Sequence, residues 1–401
     1  MQTAADPTND FAPIPLIFTS SVQDVTFQGQ GLSNRLFVEY CLPFVGQRLA
    51  SLTRLALRSD KEDIEASVFD AILQLTNLEN LDIQLPQAEN VRPEFLAKAG
   101  RALKKLSSLA MDLHFSSHEV PTGAFPPKGQ PSDSATTLFP SLVCVHAVSR
   151  SGGNLCGCIP PLLREKMKSL TLVIRGGIST SGYFQEALGT LKAVQCLEKV
   201  EIKQEGPIAT LMADRFIPFL ERLNLSEFEL TADRILYQQS AVLAPLIETA
   251  FTRDNKTLHQ TRPLRSLVLP KNTADSDRPT LRCLSSVAQL ADGLQNLATG
   301  CDSGRSLDSP PDVLLAQWKT RRPSQSTLLF LAIRDHRNPL SFTNREYKDI
   351  AQLLDLMFPR LVSIKPYCEA DENEPYWKDH WWFIEHLRRL YKGFRMHGLA
   401  Y

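Results

Sequence analysis

Cysteine is scarce in this chain, and long apolar runs are missing from it. The eight cysteines, Cys41, Cys144, Cys156, Cys158, Cys196, Cys283, Cys301 and Cys368, are scattered over 401 residues, too thin a spread for a disulfide framework. Reduced thiols, some of them buried, are the expectation. No stretch approaches the roughly 20 apolar residues that a bilayer span requires. The opening MQTAADPTNDFAP lacks the apolar centre of a signal peptide. A cytoplasmic or nuclear location follows, with no membrane partner. Nor does one sign of charge prevail: 44 Lys and Arg offset 44 Asp and Glu, so nothing draws the whole chain to nucleic acid.

Catalytic signatures are missing too. There is no G-x-S-x-G, no H-E-x-x-H and no separated pair of CxxC motifs, and the eight histidines show no ligand spacing. The one close cysteine pair, Cys156-Gly-Cys158, with Cys144 and His146 on a neighbouring strand, falls short of a four-ligand metal site. RGGISTSG, Arg175 to Gly182, lacks the Lys-Ser or Lys-Thr ending of a nucleotide loop and reads as a turn from strand to helix. We therefore expect no enzyme, no metal and no cofactor; a site assembled only in space is the remote alternative.

What is present is a recurring change of rhythm. In LTNLENLDIQLP the leucines fall three apart at Leu75, Leu78 and Leu81, then apolar residues fall two apart at Leu81, Ile83 and Leu85. The first spacing suits a helix or tight turn, the second a strand with one buried face. The same figure recurs in VQDVTF, LTRLAL, LSSLAM, LVCVHA, MKSLTL and LEKVEI. It continues in LERLNL, LRSLVL, LLFLAI, loosely in LVSIKP and faintly in LQNLAT. Taking the second apolar position as anchor, Val25, Leu55, Leu81, Leu109, Val145, Leu170 and Val200 are 30, 26, 28, 36, 25 and 30 residues apart. One gap of 44, from Leu223 to Leu267, implies an insertion.

Helical spacings fill the intervals: Ile64, Val68 and Ile72; Leu96, Ala99, Leu103 and Leu106; and Tyr347, Ile350, Leu354 and Met357. The last follows Thr343 with Glu346 three residues on, a capping box. A unit of one strand and one helix cannot bury its own apolar side, so neighbours must stack.

Strands reading L-x-x-L-x-L at this interval resemble the leucine-rich repeat family, and LRSLVLPKN matches its pattern in full through Leu264, Leu267, Leu269 and Asn272. The resemblance implies an α/β fold: an irregular leucine-rich repeat solenoid, a curved horseshoe with a parallel sheet on the concave face and helices on the convex face. The expected layout is an N-terminal segment 1–21, a solenoid 22–367 with loop insertions 116–137 and 301–311, and a C-terminal linker and capping helix 368–401. The C-terminal stretch from LLDLMFPRL to LYKGFR resembles the end of fungal F-box-associated leucine-rich repeat proteins. There an FP-x-L strand, an acidic linker and an aromatic, basic helix close the solenoid; here these are Phe358 to Leu361, Glu369 to Glu374 and Trp377 to Arg395. No F-box is recognisable, since the first repeat strand near Val25 leaves no room before it.

The resemblance implies a protein-protein interaction module, the substrate-recognition part of an adaptor of an SCF-type ubiquitin ligase. Its partners would be a protein or peptide substrate and, if an F-box exists upstream, a ligase adaptor subunit. A scaffold outside the ubiquitin pathway is the alternative. Recognition is expected at exposed strand positions on the concave face: Asp24, Thr26, Gln28, Arg54, Arg58, Asn80, Asp82, Gln84, Asp112, Lys199, Glu201, Lys203, Arg222, Ser266, Arg334 and Lys365. Their charges alternate in sign, which suits a folded protein or peptide and not a basic nucleic-acid groove. In the tail, Trp377, Trp381, Ile384, Leu387, Tyr391 and Phe394 are expected to share one face, with the cations largely elsewhere and the acidic linker balancing them. Such a helix also suits calmodulin or a membrane surface; covering the open end of the core is the reading taken. Arg321, Arg322 and Ser324 in KTRRPSQS resemble a site for basophilic kinases.

Overall fold

The computed structural model describes residues 21–29, 32, 37–49, 51–60, 66–86, 94–113, 138–149, 162, 166–175, 194, 196–205, 210–212, 225–231, 234–236, 264–271, 279–291, 293–304 and 310–398. The chain divides into two compact units, Met1–Cys196 and Leu197–Tyr401, which are taken in turn.

In the first unit, six strands pair in parallel in chain order: β1 (Asp24–Gln28), β2 (Arg54–Arg58), β3 (Asn80–Leu85), β4 (Ser108–Leu113), β5 (Cys144–Ser149) and β6 (Ser169–Ile174). The register sets Val25, Leu55, Leu81, Leu109, Val145 and Leu170 side by side. All six are buried. Two residues on, Leu57, Ile83, Met111, Ala147 and Leu172 form a second buried row. Three residues before each anchor, Leu52, Leu78, Leu106, Leu142 and Met167 are buried under the turn that enters the strand. The change of rhythm is thus the passage from turn to strand within one repeat.

A backbone contact repeats with it. The carbonyl just ahead of each strand accepts two amides from the next repeat: Gln23 O from Thr53 and Arg54, Thr53 O from Glu79 and Asn80, and Glu79 O from Ser107 and Ser108. Ser107 O takes those of Val143 and Cys144, and Val143 O those of Lys168 and Ser169, all at 2.8–3.2 Å. The hydroxyls of Thr53 and Ser107 donate to the same carbonyls, Gln23 O and Glu79 O.

Helices α1 (Leu42–Arg48), α2 (Ala66–Ile72) and α3 (Glu94–Ala102) fill intervals between strands. Val68, Phe69 and Ile72 of α2 and Phe95, Leu96 and Ala99 of α3 are buried, with the Phe69 and Phe95 rings edge to face at 5.0 Å. Ile64 lies outside the described residues, as does the insertion 116–137.

In the second unit, β7 (Lys199–Gln204), β9 (Glu227–Thr231), β11 (Ser266–Val268), β12 (Asn296–Cys301), β13 (Phe330–Asp335) and β14 (Ser363–Pro366) pair in parallel, while β8 (Thr210–Met212) and β10 (Arg234–Leu236) form a separate pair. The buried anchor row is Val200, Phe228, Leu267, Leu297, Leu331 and Ile364. This corrects one expectation: the repeat after Val200 is LSEFEL, with Leu225, Phe228 and Leu230 buried, and not LERLNL. Phenylalanine fills the leucine slot, so the long gap is redistributed as 28 residues to Phe228 and 39 to Leu267. Both units are α/β solenoids of the leucine-rich repeat type.

The carbonyl ladder recurs here at Glu198, Ser226, Arg265, Gln295 and Leu329, each accepting two amides at 2.7–3.4 Å. Helices α4 (Leu281–Leu290), α5 (Pro311–Lys319) and α6 (Asn344–Met357) lie between strands. The capping box forms: Thr343 Oγ1 accepts from Glu346 N, and Glu346 Oε2 accepts from Thr343 N. Of the loop 301–311, Cys301 closes β12 and Pro311 opens α5, both buried.

Beyond β14, a wider helical turn (Tyr376–Trp381) runs into α7 (Trp382–Met396). The face that α7 buries is the expected one only in part. Trp381, Ile384, Glu385 and Arg388 are inside, while Phe394 is 42% exposed. The cause is the unfinished ladder. Val362 O, the next carbonyl of the ladder, has no further strand to meet, and Arg388, itself fully buried, reaches it through Nη2 at 3.4 Å and the neighbouring Leu361 O through Nη1 at 3.1 Å. Glu385 holds the same guanidinium at 2.6 Å and 2.9 Å, Lys392 Nζ also donates to Leu361 O, and Arg395 binds buried Asp355 and Pro359 O. Cations therefore lie on the inner face, balanced by Glu385 and Asp355. The acidic linker pairs elsewhere, with Lys271 and Arg334.

We expect Arg388→Ala to lower unfolding free energy by about 1–3 kcal/mol, because Val362 O loses its donor and the buried Glu385 keeps only the more exposed Arg389. Hydrogen exchange should quicken first at β14, and chemical denaturation of the full chain gives the magnitude.

Candidate functional site

The strand positions that alternate with the buried rows form outward rows. On the first unit they read Asp24, Arg54, Asn80, Ser108, Cys144 and Ser169; then Thr26, Ala56, Asp82, Ala110, His146 and Thr171; then Gln28, Arg58, Gln84, Asp112, Val148 and Val173. Every candidate proposed on this unit lies in them, and Asp24, Thr26, Gln28, Arg54, Arg58 and Gln84 are exposed, with Asn80 and Asp82 half-buried. The expected alternation of charge exists as bonded rungs. Arg54 meets Asp24 at 3.2 Å. Arg58 meets Asp82 at 2.7 Å, and Gln84 Nε2 donates to both oxygens of that carboxylate.

Asp112 departs from expectation: it is 7% exposed, because the Arg175 guanidinium lies over it at 2.6 Å. Beside this pair the ends of β1–β4 open into a polar cleft of about 530 Å³, lined by Gln28, Arg58, Asp60, Gln84, Asp112 and Arg175 among others. Arg175, Ser59 and Asp60 were missed as lining because each follows its strand, beyond the alternating positions that the pattern marks. Among the described residues no three His, Cys, Asp or Glu side chains group as metal ligands; Cys156 and Cys158 lie outside the described residues.

On the second unit Lys199, Glu201, Lys203, Ser266, Arg334 and Lys365 occupy outward rows, and Arg222 lies outside the described residues. Lys199 pairs with Glu227 at 3.4 Å. Glu201, expected exposed, is 9% exposed because Lys203 closes over it. The hydrogen bond that Lys203 donates to Glu201 holds its ammonium above its usual range, while burial and then the Glu201 carboxylate raise Glu229. Arg334 lies over the Tyr376 ring at 4.4 Å and near Asp371 and Glu374, both at 3.6 Å. Burial, followed by Asp371, pushes the Tyr376 phenol up, and its hydroxyl is bound to Ile333 O and Asp371.

Along β11–β14 the charge thins out. Val268, Ala298 and Ala332 are consecutive in one outward row, half-buried, and end on Lys365. In the adjoining row Phe330 is 41% exposed, with Lys365 Nζ 5.8 Å from its ring centroid. Gly300 completes this surface: a Cβ there would lie 2.2 Å from Lys271 O, a carbonyl that His336 Nε2 also meets at 2.6 Å. Phe330 was missed because, as the residue before the anchor, it has no signature in a leucine count.

Among the described residues no helix is long and apolar enough to cross a membrane. No protein-family model matches the chain, and no curated protein matches it. Among solved structures, the crystal structure of the mouse RP105/MD-1 complex aligns over 85% of this chain and 60% of that chain, at 15% identity and a TM-score of 0.28. The chain thus spans less than two thirds of that neighbour. So loose a likeness adds nothing to the fold, which rests on the in-register strands.

The two kinds of rung should separate experimentally. Arg175→Ala takes the covering cation from the nearly buried Asp112 carboxylate and should cost about 1–3 kcal/mol, whereas Arg54→Ala, at a solvent-exposed pair, should cost under about 0.5 kcal/mol. Urea unfolding of both variants at low and high salt checks this, the Arg54 effect vanishing with salt.

Proposed function

We propose that this chain is a protein-binding repeat module that takes a folded protein or peptide on its outward strand faces, with Phe330 as an anchor. The observation that carries the reading is the change of surface along β11–β14, where a half-exposed aromatic ring stands beside a row of Val268, Ala298 and Ala332. Binding energy concentrates on aromatic and arginine side chains within well-packed, desolvated surroundings. The cross-paired charges of Asp24, Arg54, Arg58, Asp82, Lys199 and Glu227 supply register and exclusion of wrong partners more than affinity. The remaining outward residues, Thr26, Gln28, Asn80, Gln84 and Ser266, are hydrogen-bonding groups for the same partner.

The finer assignment is the substrate-recognition half of an F-box and leucine-rich repeat adaptor of an SCF-type ubiquitin ligase, acting in cytoplasm or nucleus without catalysis of its own. Its support is the resemblance of the tail, from the FP-x-L strand through the acidic linker to α7. The ligase role requires an F-box encoded ahead of this sequence.

Affinity capture with the full gene product, followed by mass spectrometry, tests both levels. Proteins lost with Phe330→Glu and kept with Leu340→Glu, a substitution at a residue 94% exposed, identify the surface. Recovery of a ligase adaptor subunit in the same eluate supports the finer assignment, and Phe330-dependent partners without it leave a scaffold. A partner set indifferent to Phe330→Glu overturns the surface.

A further inference from the structure

We propose that Ser324 is a phosphorylation site for an arginine-directed serine/threonine kinase, and that the phosphate is received by a cationic groove of this same chain. The segment 320–329 between α5 and β13 is irregular, with 320–323 and Gln325 exposed. Within it Arg321-Arg322-Pro323-Ser324 places two exposed guanidinium groups three and two residues ahead of a hydroxyl. Arg321 lies over the Trp318 ring at 5.4 Å. Neither arginine, nor Lys319, pairs with a carboxylate among the described residues.

The neighbouring hydroxyls are less suited. Ser326 is buried at 2% exposure, and Thr320 Oγ1 is tied to Gln317 O one turn back. Ser324 is half-buried: its Oγ donates to Ala288 O at 3.2 Å and accepts from Ser326 N at 3.1 Å. The stretch is held by few backbone hydrogen bonds, so local opening to present it to a kinase is easy.

What the phosphate would do follows from its surroundings. Ala288 O belongs to the last turn of α4, the negative end of that helix. The hydroxyl donates to it, but a phosphate has no proton to give near neutral pH and is repelled by it. On the other side lies a groove of about 630 Å³ that Ser324 itself lines, together with Lys319, Arg321, Arg322, Asp355 and Arg395. Four cations face one carboxylate, and that carboxylate, Asp355, is fully buried and bound by Arg395, which leaves the charge of Lys319, Arg321 and Arg322 to the groove. The modification therefore moves Ser324 off α4 and onto the cations, tying the segment to Lys319 at the end of α5 and to Arg395 of α7. In the transfer itself the bond from the γ-phosphorus of ATP to the bridging oxygen of ADP breaks as the Ser324 Oγ–P bond forms, and the hydroxyl proton passes to the kinase's base.

The test uses the full folded chain, magnesium-ATP and a kinase of this class, with the site mapped by mass spectrometry. Phosphate should appear at Ser324, be absent in Ser324→Ala and form more slowly in Arg321→Gln and Arg322→Gln. Amide exchange over residues 320–329 should then slow about tenfold, the factor one charge-assisted hydrogen bond supplies, and less so in Lys319→Gln. Phosphorylation of a synthetic 318–328 peptide but not of the folded chain overturns the site. Phosphate at Ser324 with exchange unchanged or faster overturns its capture by the groove.

Discussion

Each repeat places one backbone carbonyl ahead of its strand, and the two amides that satisfy it belong to the next repeat. From Gln23 to Val143 in the first unit and from Glu198 to Leu329 in the second, this contact recurs between successive strands of each unit's main row. Its net energy is modest, about 1 kcal/mol per hydrogen bond, against about 1.5–3 kcal/mol for burying each leucine of the anchor row. The leucines hold the stack together, while the carbonyls decide where each strand begins. A one-residue slip would send Leu81 to the solvent side and Asp82 into the core. Threonine and serine at the preceding position reinforce the choice, since Thr53, Ser107 and Ser226 each donate a hydroxyl to the carbonyl that their own amide already meets.

The same register determines what the outward face offers. Opposite charges on adjacent strands fall within reach of each other, so Arg54 and Asp24, Arg58 and Asp82, and Lys199 and Glu227 neutralise one another. Exposed pairs of this kind contribute about 0–1 kcal/mol each, too little to explain the fold. Their effect is on the field, which they cancel at the distance of an approaching partner. Selectivity then rests on short-range contact, and β11–β14, where ion pairs between adjacent strands give way to Val268, Ala298, Ala332 and Phe330, is where such contact finds apolar surface.

The rows of the solenoid were legible because leucine spacing and strand pairing share one cause, the need to bury every second side chain. Val25 through Leu170 stand in register as the spacing implied, and the Thr343 capping box forms. Phe228 was not legible, because a phenylalanine in an apolar row breaks a leucine count without disturbing the core. The burial of Asp112 and Glu201 was hidden for a different reason: the covering cation of Asp112 comes from 63 residues away in the chain, and that of Glu201 sits at the next outward position of its own strand. Asp335 was invisible as well. At the end of β13 and 3% exposed, it accepts from Ser303 N and Oγ, Arg337 N and Trp381 Nε1, joining three separated segments that no local pattern connects.

The tail shows why aromatic periodicity read α7 only in part. A hydrophobic cap would suffice if the last repeat presented only side chains, and on that premise Trp377, Trp381, Ile384, Leu387, Tyr391 and Phe394 belong inside, of which Trp381 and Ile384 are fully buried. The last repeat also presents Val362 O, whose counterparts in the earlier repeats accept two amides, and beside it the buried Leu361 O. A buried carbonyl left without a donor costs about 1–3 kcal/mol, so the closing element must bring donors into an apolar site. Lysine offers a single point of charge; arginine offers five N–H groups in a planar fork. Arg388 uses that fork in two directions, Nη1 and Nη2 toward the carbonyls and Nε and Nη2 toward Glu385. The inward face of α7 is therefore set by hydrogen-bond demand at the open end of the ladder, and the apolar residues take the positions that this demand leaves.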